Sequence, residues 1–433
     1  MTPTTTGIIG FIALIVLIFL RMPVGFAMAL VGIAGFASII SLDAAFSMAV
    51  KDLFNIFGSY SLTVIPLFIL MGQIAFHAGI SSRLFNAVYK FIGHWPGGMG
   101  IATIGACSGF SAISGSTNAT AATMAAITIP EMRRYHYRDS LGAGAVAAGG
   151  SLGILVPPSV IFIVYGIMTE QSIGKLFIAG ILPGILLTAL FMLVVALWAW
   201  LDPTVAPRGE KATWAERFRS LSGVGETVIL FIMVMGGLFA GLFTPTEAGG
   251  VGAFGTLVVA CVRRNLSRER FIQALTETTR ISCMILMIVA GATIFGHFMA
   301  VTRIPFTIAE WVSNLALPPY AIISLIILVY ILGGCLIDAL ALIMLTIPIF
   351  YPVVTALGYD PVWFGVVIVL VTQIGVITPP VGINVYVVQS VMPDIPLGVI
   401  FKGVLPYLAA LIVAVALILV FPELTLYLPA LMR

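Results

Sequence analysis

Charge is what this sequence has least of. Asp, Glu, Lys and Arg together make up 9% of its 433 residues, against about 25% in soluble domains. A water-soluble globule cannot clothe its surface with so few charges. Cysteine is sparse as well. Cys107, Cys261, Cys283 and Cys335 lie far apart in apolar or small-residue surroundings and form no CxxC, which excludes a disulfide framework and a thiolate zinc site. They are expected to be buried thiols. His77, His94, His136 and His297 are equally scattered, with no HExxH spacing, so no resident metal centre or organic cofactor is expected. The net charge of +3 is spread over loops without a basic stripe, which speaks against nucleic acid as a partner. Period-two alternation is missing, and with it the signature of an outer-membrane barrel. Ser114 has no sequence-evident histidine partner, so the chain is not expected to be an enzyme.

What is present is apolar sequence: 61% of the residues are hydrophobic, arranged in runs of about 20, long enough to span a bilayer as helices. The expected fold is an all-α polytopic membrane protein. Spans are expected at 7–20, 23–41, 61–78, 140–168, 174–200, 224–243, 247–262, 281–300, 362–392 and 397–421, of which 140–168 and 362–392 are broken. The run 7–20 is read as a first span rather than a signal peptide, because Arg21 follows it and no small-residue cleavage site does. Regions 98–131 and 318–352 are apolar but punctuated by Gly, Ser and Pro. Each fits a re-entrant hairpin that enters and leaves on one side. The polar stretch 202–222 reads as a solvated cytoplasmic connector in preference to an interfacial helix carrying Trp214 and Phe218 on one face.

Basic residues fix the orientation. With both termini outside, only Lys51, Lys175, Arg303 and Arg433 of the 20 Lys and Arg face out. Treating either hairpin as a single crossing scrambles that sorting downstream.

The sequence also matches itself at a shift near 220. AGATIF at 290–295 echoes MGQIAF at 71–76. The TIP at 346–348 echoes that at 128–130, KGVLP at 402–406 echoes AGILP at 179–183, and G-x-x-x-P-P occurs at 153–158 and again at 375–380. Five regions follow: N-terminal scaffold helices at 1–60, a first repeat at 61–200, a linker with central scaffold helices at 201–280, a second repeat at 281–421 and a tail at 422–433. The topology gives the repeats opposite orientations, the plan of secondary transporters that bind substrate at the membrane midplane. Paired prolines remove amide donors. Freed carbonyls facing lipid cost several kcal/mol each, but they are tolerable where they coordinate a cation. A proline kink satisfied by neighbouring helices is the structural alternative.

The first hairpin tip, GFSAISGSTNATAAT at 109–123, crowds hydroxyl, amide and small side chains. The second, LGGCLIDALAL at 332–342, holds Asp338. An acid at that depth is a candidate for a cation or solute site, and also a good N-cap for 339–352. Arg303 offers a carboxylate partner or a snorkelling interfacial cation. Glu247, in FTPTEAGG, fits the first turn of a helix.

With these motifs placed, the chain resembles the large membrane subunit of TRAP transporters, the tripartite ATP-independent periplasmic family. RMPVGFAMAL (21–30), SGFSAISGSTNATAAT (108–123), GGSLGILVPPSVIFIVYG (149–166), LFTPTEAGG (242–250) and GVITPPVGIN (375–384) carry the resemblance. It implies an elevator-type, sodium-driven importer of small organic acids in the bacterial inner membrane. It implies a periplasmic substrate-binding protein and a small four-helix membrane subunit as partners, the latter a separate chain, since no helices for a fused one are seen. It also implies a first sodium site at Ser111, Ser114, Gly153, Val156 and Pro158, and a second at Gly333, Leu336, Gly375, Thr378 and Val381. Asn118, Asp338 and Arg303 are the substrate-side candidates. Rival expectations are a related dicarboxylate/cation symporter working without a binding protein, a cation/proton antiporter, and a membrane enzyme or non-transporting scaffold.

Overall fold

The computed structural model describes residues 2–314 and 318–432, and every regular element among them is helical. The chain opens with α1 (Pro3–Phe19), α2 (Val24–Ile39) and α3 (Leu42–Phe57). A first series follows: α4 (Val64–His77), α5 (Ile80–Ile92), α6 (Gly98–Ser114), α7 (Thr117–Arg134), α8 (Asp139–Ser151), α9 (Val160–Met168) and α10 (Ile173–Leu201). In the centre lie α11 (Trp214–Phe231), running through a π-helical turn into the short α12 (Gly237–Phe239), and α13 (Pro245–Val262). A second series repeats the order of the first: α14 (Arg268–Thr302), α15 (Ile304–Asn314), α16 (Pro319–Gly334), α17 (Ala339–Ala356), α18 (Pro361–Ile377), α19 (Ile383–Val391) and α20 (Leu397–Val420). The last helix is α21 (Glu423–Ala430). Six stretches, Ile173–Leu201, Trp214–Phe239, Pro245–Val262, Arg268–Thr302, Ala339–Ala356 and Leu397–Val420, are each long and apolar enough to cross a membrane.

Each series contains a helical hairpin followed by a broken helix. The hairpins are α6–α7 and α16–α17; the broken helices are α8–α9 and α18–α19. Contacts at their ends set their directions. At the base of the first hairpin, Arg133 reaches Asp139 at the start of α8 at 2.7 Å and Asp394, just beyond α19, at 2.5 Å. At the base of the second, the Tyr165 hydroxyl of α9 donates to the Pro361 carbonyl at 2.6 Å, and the Tyr351 hydroxyl donates to the Thr169 carbonyl at 3.3 Å. So α8–α9 starts beside the first hairpin base and ends beside the second, while α18–α19 does the reverse. The bases therefore lie at opposite ends of the molecule. Accordingly α4 and α14 are antiparallel, with His77 at the end of α4 and Glu277 early in α14 lining one cavity.

Small residues allow the close crossings. A Cβ on Gly25 of α2 would lie 2.7 Å from the Met287 carbonyl of α14, and Gly144 of α8 is pressed against the Gly403 backbone of α20.

Several expectations need correction. The stretch 202–222 is not wholly a connector. Helix α11 begins at Trp214, where the Thr213 and Glu216 side chains cap each other's backbone N–H groups. The T-x-x-E spacing of that capping box was there to be read. Glu247 pairs with Thr244 in a capping box at the start of α13, the first-turn position expected for it. Of the four cysteines only Cys107 is buried; Cys261 and Cys283 are exposed and Cys335 is partly so. In a membrane protein an apolar context marks lipid-facing positions as readily as core ones. Helices α3, α5, α15 and α21 fall where no span or only a tail was expected. All are 16 residues or shorter, below the span length that a hydropathy reading detects.

Candidate functional site

The site begins with the prolines. In an α-helix the Gly153 carbonyl would accept from the N–H of residue 157, and that of Ile154 from residue 158. Both are proline and have no N–H. The helix accordingly gives way after a 3₁₀ turn at Leu152–Ile154, and residues 155–159 are non-helical. The Ser159 hydroxyl takes over the Ile154 carbonyl at 2.6 Å. Pro379 and Pro380 do the same to the carbonyls of Gly375 and Val376, and residues 378–382 are non-helical. There the Thr378 N–H donates to the Gly375 carbonyl at 3.3 Å, and its hydroxyl donates to the carbonyl of Ile374.

Each break meets a hairpin tip, and the glycine of the motif is the point of contact. The first tip turns at Gly115, whose φ is 57°, a conformation glycine adopts at little cost. A Cβ on Gly153 would stand 2.5 Å from the Ser116 carbonyl oxygen, and one on Gly115 would stand 2.8 Å from that of Pro158. Gly375 is pressed in the same way onto the backbone of Gly334 at the second tip.

The first candidate ion set lies on the first tip and the break it meets. Ser111 is fully buried and its hydroxyl has no partner. Ser114 lies 2.9 Å from the Thr120 hydroxyl. Gly153, Val156 and Pro158 are buried; Gly153 meets the tip at Ser116 and Pro158 meets it at Gly115. An orphaned buried hydroxyl costs about 1–3 kcal/mol, unless something it can ligate shares the site. Oxygen donors of this kind suit a hard alkali cation. The second set is looser. The Gly333 carbonyl already accepts from Leu336 N–H at 3.0 Å and Ile337 N–H at 2.9 Å, while Leu336 and Val381 are exposed. Of the two break residues, Gly375 is the one pressed onto the tip, at Gly334; Thr378 caps the end of α18.

Between the tips lies a cavity of about 280 Å³. Both hairpin tips, both breaks, α4 and α14 contribute to its wall. Asn118 and Asp338 line it, as do Ser114, Ser116, Thr117 and Gln73. Arg303 does not; it is exposed at the C-terminal cap of α14. Gln73 escaped the sequence reading, though a lone amide within VIPLFILMGQIAFH was a usable signal.

Two helix N-termini face this cavity, and they differ. The Asp338 side chain caps α17, accepting from Leu340 N–H at 3.0 Å. At α7 the cap is the neutral Ser116, accepting from Ala119 N–H at 3.4 Å. The partial positive charge of the α7 terminus is thus left uncompensated. Among the described residues lining the cavity there is no lysine or arginine, so this terminus is the attractive feature for an anion. A neighbouring cavity of about 450 Å³ shares Gln73 and Ala119 and continues past His77 to Gln273 and Glu277. The site is therefore open toward the end that carries the base of the first hairpin.

The family described as "Tripartite ATP-independent periplasmic transporter, DctM component" matches residues 11–424. The C4-dicarboxylate TRAP transporter large permease protein DctM of Pseudomonas aeruginosa is 37% identical, covering 92% of this chain and 93% of the relative. The sialic acid TRAP transporter large permease protein SiaM of Vibrio cholerae is 36% identical over 96% of both chains. Among solved structures, the YdaH transporter of Alcanivorax borkumensis aligns with a TM-score of 0.63 at 16% identity, over 89% of this chain and 90% of that one. At that identity the likeness speaks for the fold alone.

Proposed function

The chain belongs to the DctM family of tripartite ATP-independent periplasmic transporters, and from that membership we propose that it imports a small organic acid in symport with sodium across the bacterial inner membrane. A periplasmic binding protein delivers the acid, and a separate small four-helix membrane subunit completes the permease. Two relatives named for C4-dicarboxylate and sialic acid support a carboxylate as substrate.

In this reading the substrate carboxylate sits at the N-terminus of α7, with Asn118 beside it. The Asp338 side chain already occupies the opposite helix end as its cap and hydrogen-bonds hydroxyl groups of the solute. Sodium occupies the two hairpin–break junctions: Ser111, Ser114 and the carbonyls of Gly153, Val156 and Pro158 at the first, and the Gly375 and Thr378 region at the second. The ions brace the tips that form the cavity wall, so they organise the substrate pocket. Hairpins and broken helices then move together, as an elevator, against a scaffold of the remaining helices. Two sodium ions carried with one monoanion bring net positive charge inward, and each inward charge yields about 2.3 kcal/mol at 100 mV.

The buried, unpartnered hydroxyl of Ser111 carries the ion half of this proposal. Uptake of a labelled C4-dicarboxylate and of labelled sialic acid into proteoliposomes tests it, with this chain, its small subunit and the binding protein all present. Uptake of one of the two acids should require an inward sodium gradient, and if that acid is sialic acid, a monoanion, its uptake should also rise with an inside-negative potential. Uptake that proceeds equally in potassium alone contradicts the proposal.

A further inference from the structure

Ser151 of α8 and Gln373 of α18 meet where the two broken helices touch, and the proposed transport cycle does not use them. Both side chains are fully buried. The Ser151 hydroxyl donates to the Gln373 carboxamide oxygen at 3.1 Å and also lies 2.7 Å from the Ala148 carbonyl. The carboxamide nitrogen of Gln373 has no partner, so Ser151 is its one polar attachment among the described residues.

The two residues stand 222 positions apart. Gly153 and Gly375 are separated by the same interval, and so are the paired prolines. Each member of the contact is thus the counterpart of the other in the repeat. A residue can touch its own counterpart only where the two copies meet, on the axis that relates them. Each also lies two positions before the glycine that contacts a hairpin tip. Nearby, the Asn384 amide of α19 donates to the Ala147 carbonyl of α8 at 2.9 Å, so the second broken helix grips the first at two polar points.

We propose that the Ser151–Gln373 contact couples the two ion sites, so that filling one tightens the other, and that both residues position the breaks for sodium-coupled transport. The inference rests on the sodium reading given above. Its physical content is linkage: an ion that fixes one break shifts the shared contact, and the other break feels that shift at the same distance from its own site. The coupling passes through packed, fully buried side chains in direct hydrogen-bond contact.

The test compares sodium titrations of uptake in the reconstituted complex. Gln373→Met removes the amide while keeping length and volume, and leaves Ser151 bonded to Ala148. Ser151→Ala removes the other half, and the double variant removes both without stranding a polar group. The wild type should show a Hill coefficient approaching 2, the number of proposed sites. All three variants should fall to about 1 while keeping most of the uptake at saturating sodium, with the double variant no worse than either single one. Equal melting temperatures without sodium confirm an intact fold. Wild-type cooperativity retained in Gln373→Met and in the double variant overturns the coupling and leaves the sodium reading standing. A wild type indifferent to sodium overturns both.

Discussion

Gly375→Val is expected to abolish uptake while the protein still inserts and purifies normally. The reason is distance. A Cβ at Gly375 would overlap the backbone of Gly334 at the tip of the second hairpin, and backbone cannot swing aside as a flexible side chain can. The tip must then lift off the break, which disrupts the proposed second ion junction and the cavity wall together. Overpacking of this kind costs about 1–3 kcal/mol, enough to displace a hairpin tip without unfolding a protein of this size. The contact is one-sided, which gives an internal control. A Cβ on Gly334 would stand 3.5 Å from the Gly375 Cα, ordinary van der Waals contact, so Gly334→Ala should transport nearly as well as wild type. Gly153→Val should repeat the loss at the first tip. Uptake by Gly375→Val within twofold of wild type would mean the tip does not rest on the break as described.

The second large effect concerns sodium. Replacing Ser111 and Ser114 together by alanine should raise the sodium concentration for half-maximal uptake at least about tenfold, equivalent to roughly 1.4 kcal/mol of ion binding. A purely structural role makes the opposite prediction for stability. Ser111 has no hydrogen-bond partner, so Ser111→Ala alone should leave the melting temperature without sodium unchanged or higher. The rise in melting temperature on adding sodium should shrink, because binding to the folded state alone is what produces it. Loss of stability without sodium, together with unchanged sodium dependence of uptake, would make these hydroxyls packing elements and remove them from the ion site.

Much of this architecture was legible because its signals are local and chemical. A G-x-x-x-P-P run strips two carbonyls of their helical donors wherever it falls, so the breaks at 153–158 and 375–380 could be placed from the chain alone. The hairpins were legible from their Gly- and Ser-rich tips combined with the sorting of Lys and Arg. The short helices were not. In α5, Ile80, Leu84, Phe85 and Ala87 are buried while Arg83 and Lys90 are only partly covered, so the helix is amphipathic and shows no long apolar run. Helix α11 starts ten residues before the expected span at 224, because its first turns, Trp214–Gly223, are polar and held by the Thr213–Glu216 capping box rather than marked by an apolar run. Within the site, Asn118 and Asp338 stood out as polar residues at predicted tips, and both line the cavity. Gln73 and the Ser151–Gln373 contact did not, since their meaning depends on which helices cross and at what height. Arg303 was singled out for its isolation along the sequence, a property that says nothing about distance to a cavity.

The two hairpins entering from opposite faces of the membrane is the proposition on which the sites, the cavity and the transport cycle all depend. Single cysteines at the two bases test it directly. Arg134 at the end of α7 and Thr355 at the end of α17 are both exposed. Arg134→Cys and Thr355→Cys would each be introduced after Cys261, Cys283 and Cys335 are replaced. In intact cells with a permeabilised outer membrane, an impermeant maleimide should label Thr355→Cys at once and Arg134→Cys only after the inner membrane is broken. Labelling of both from the same side would contradict the account.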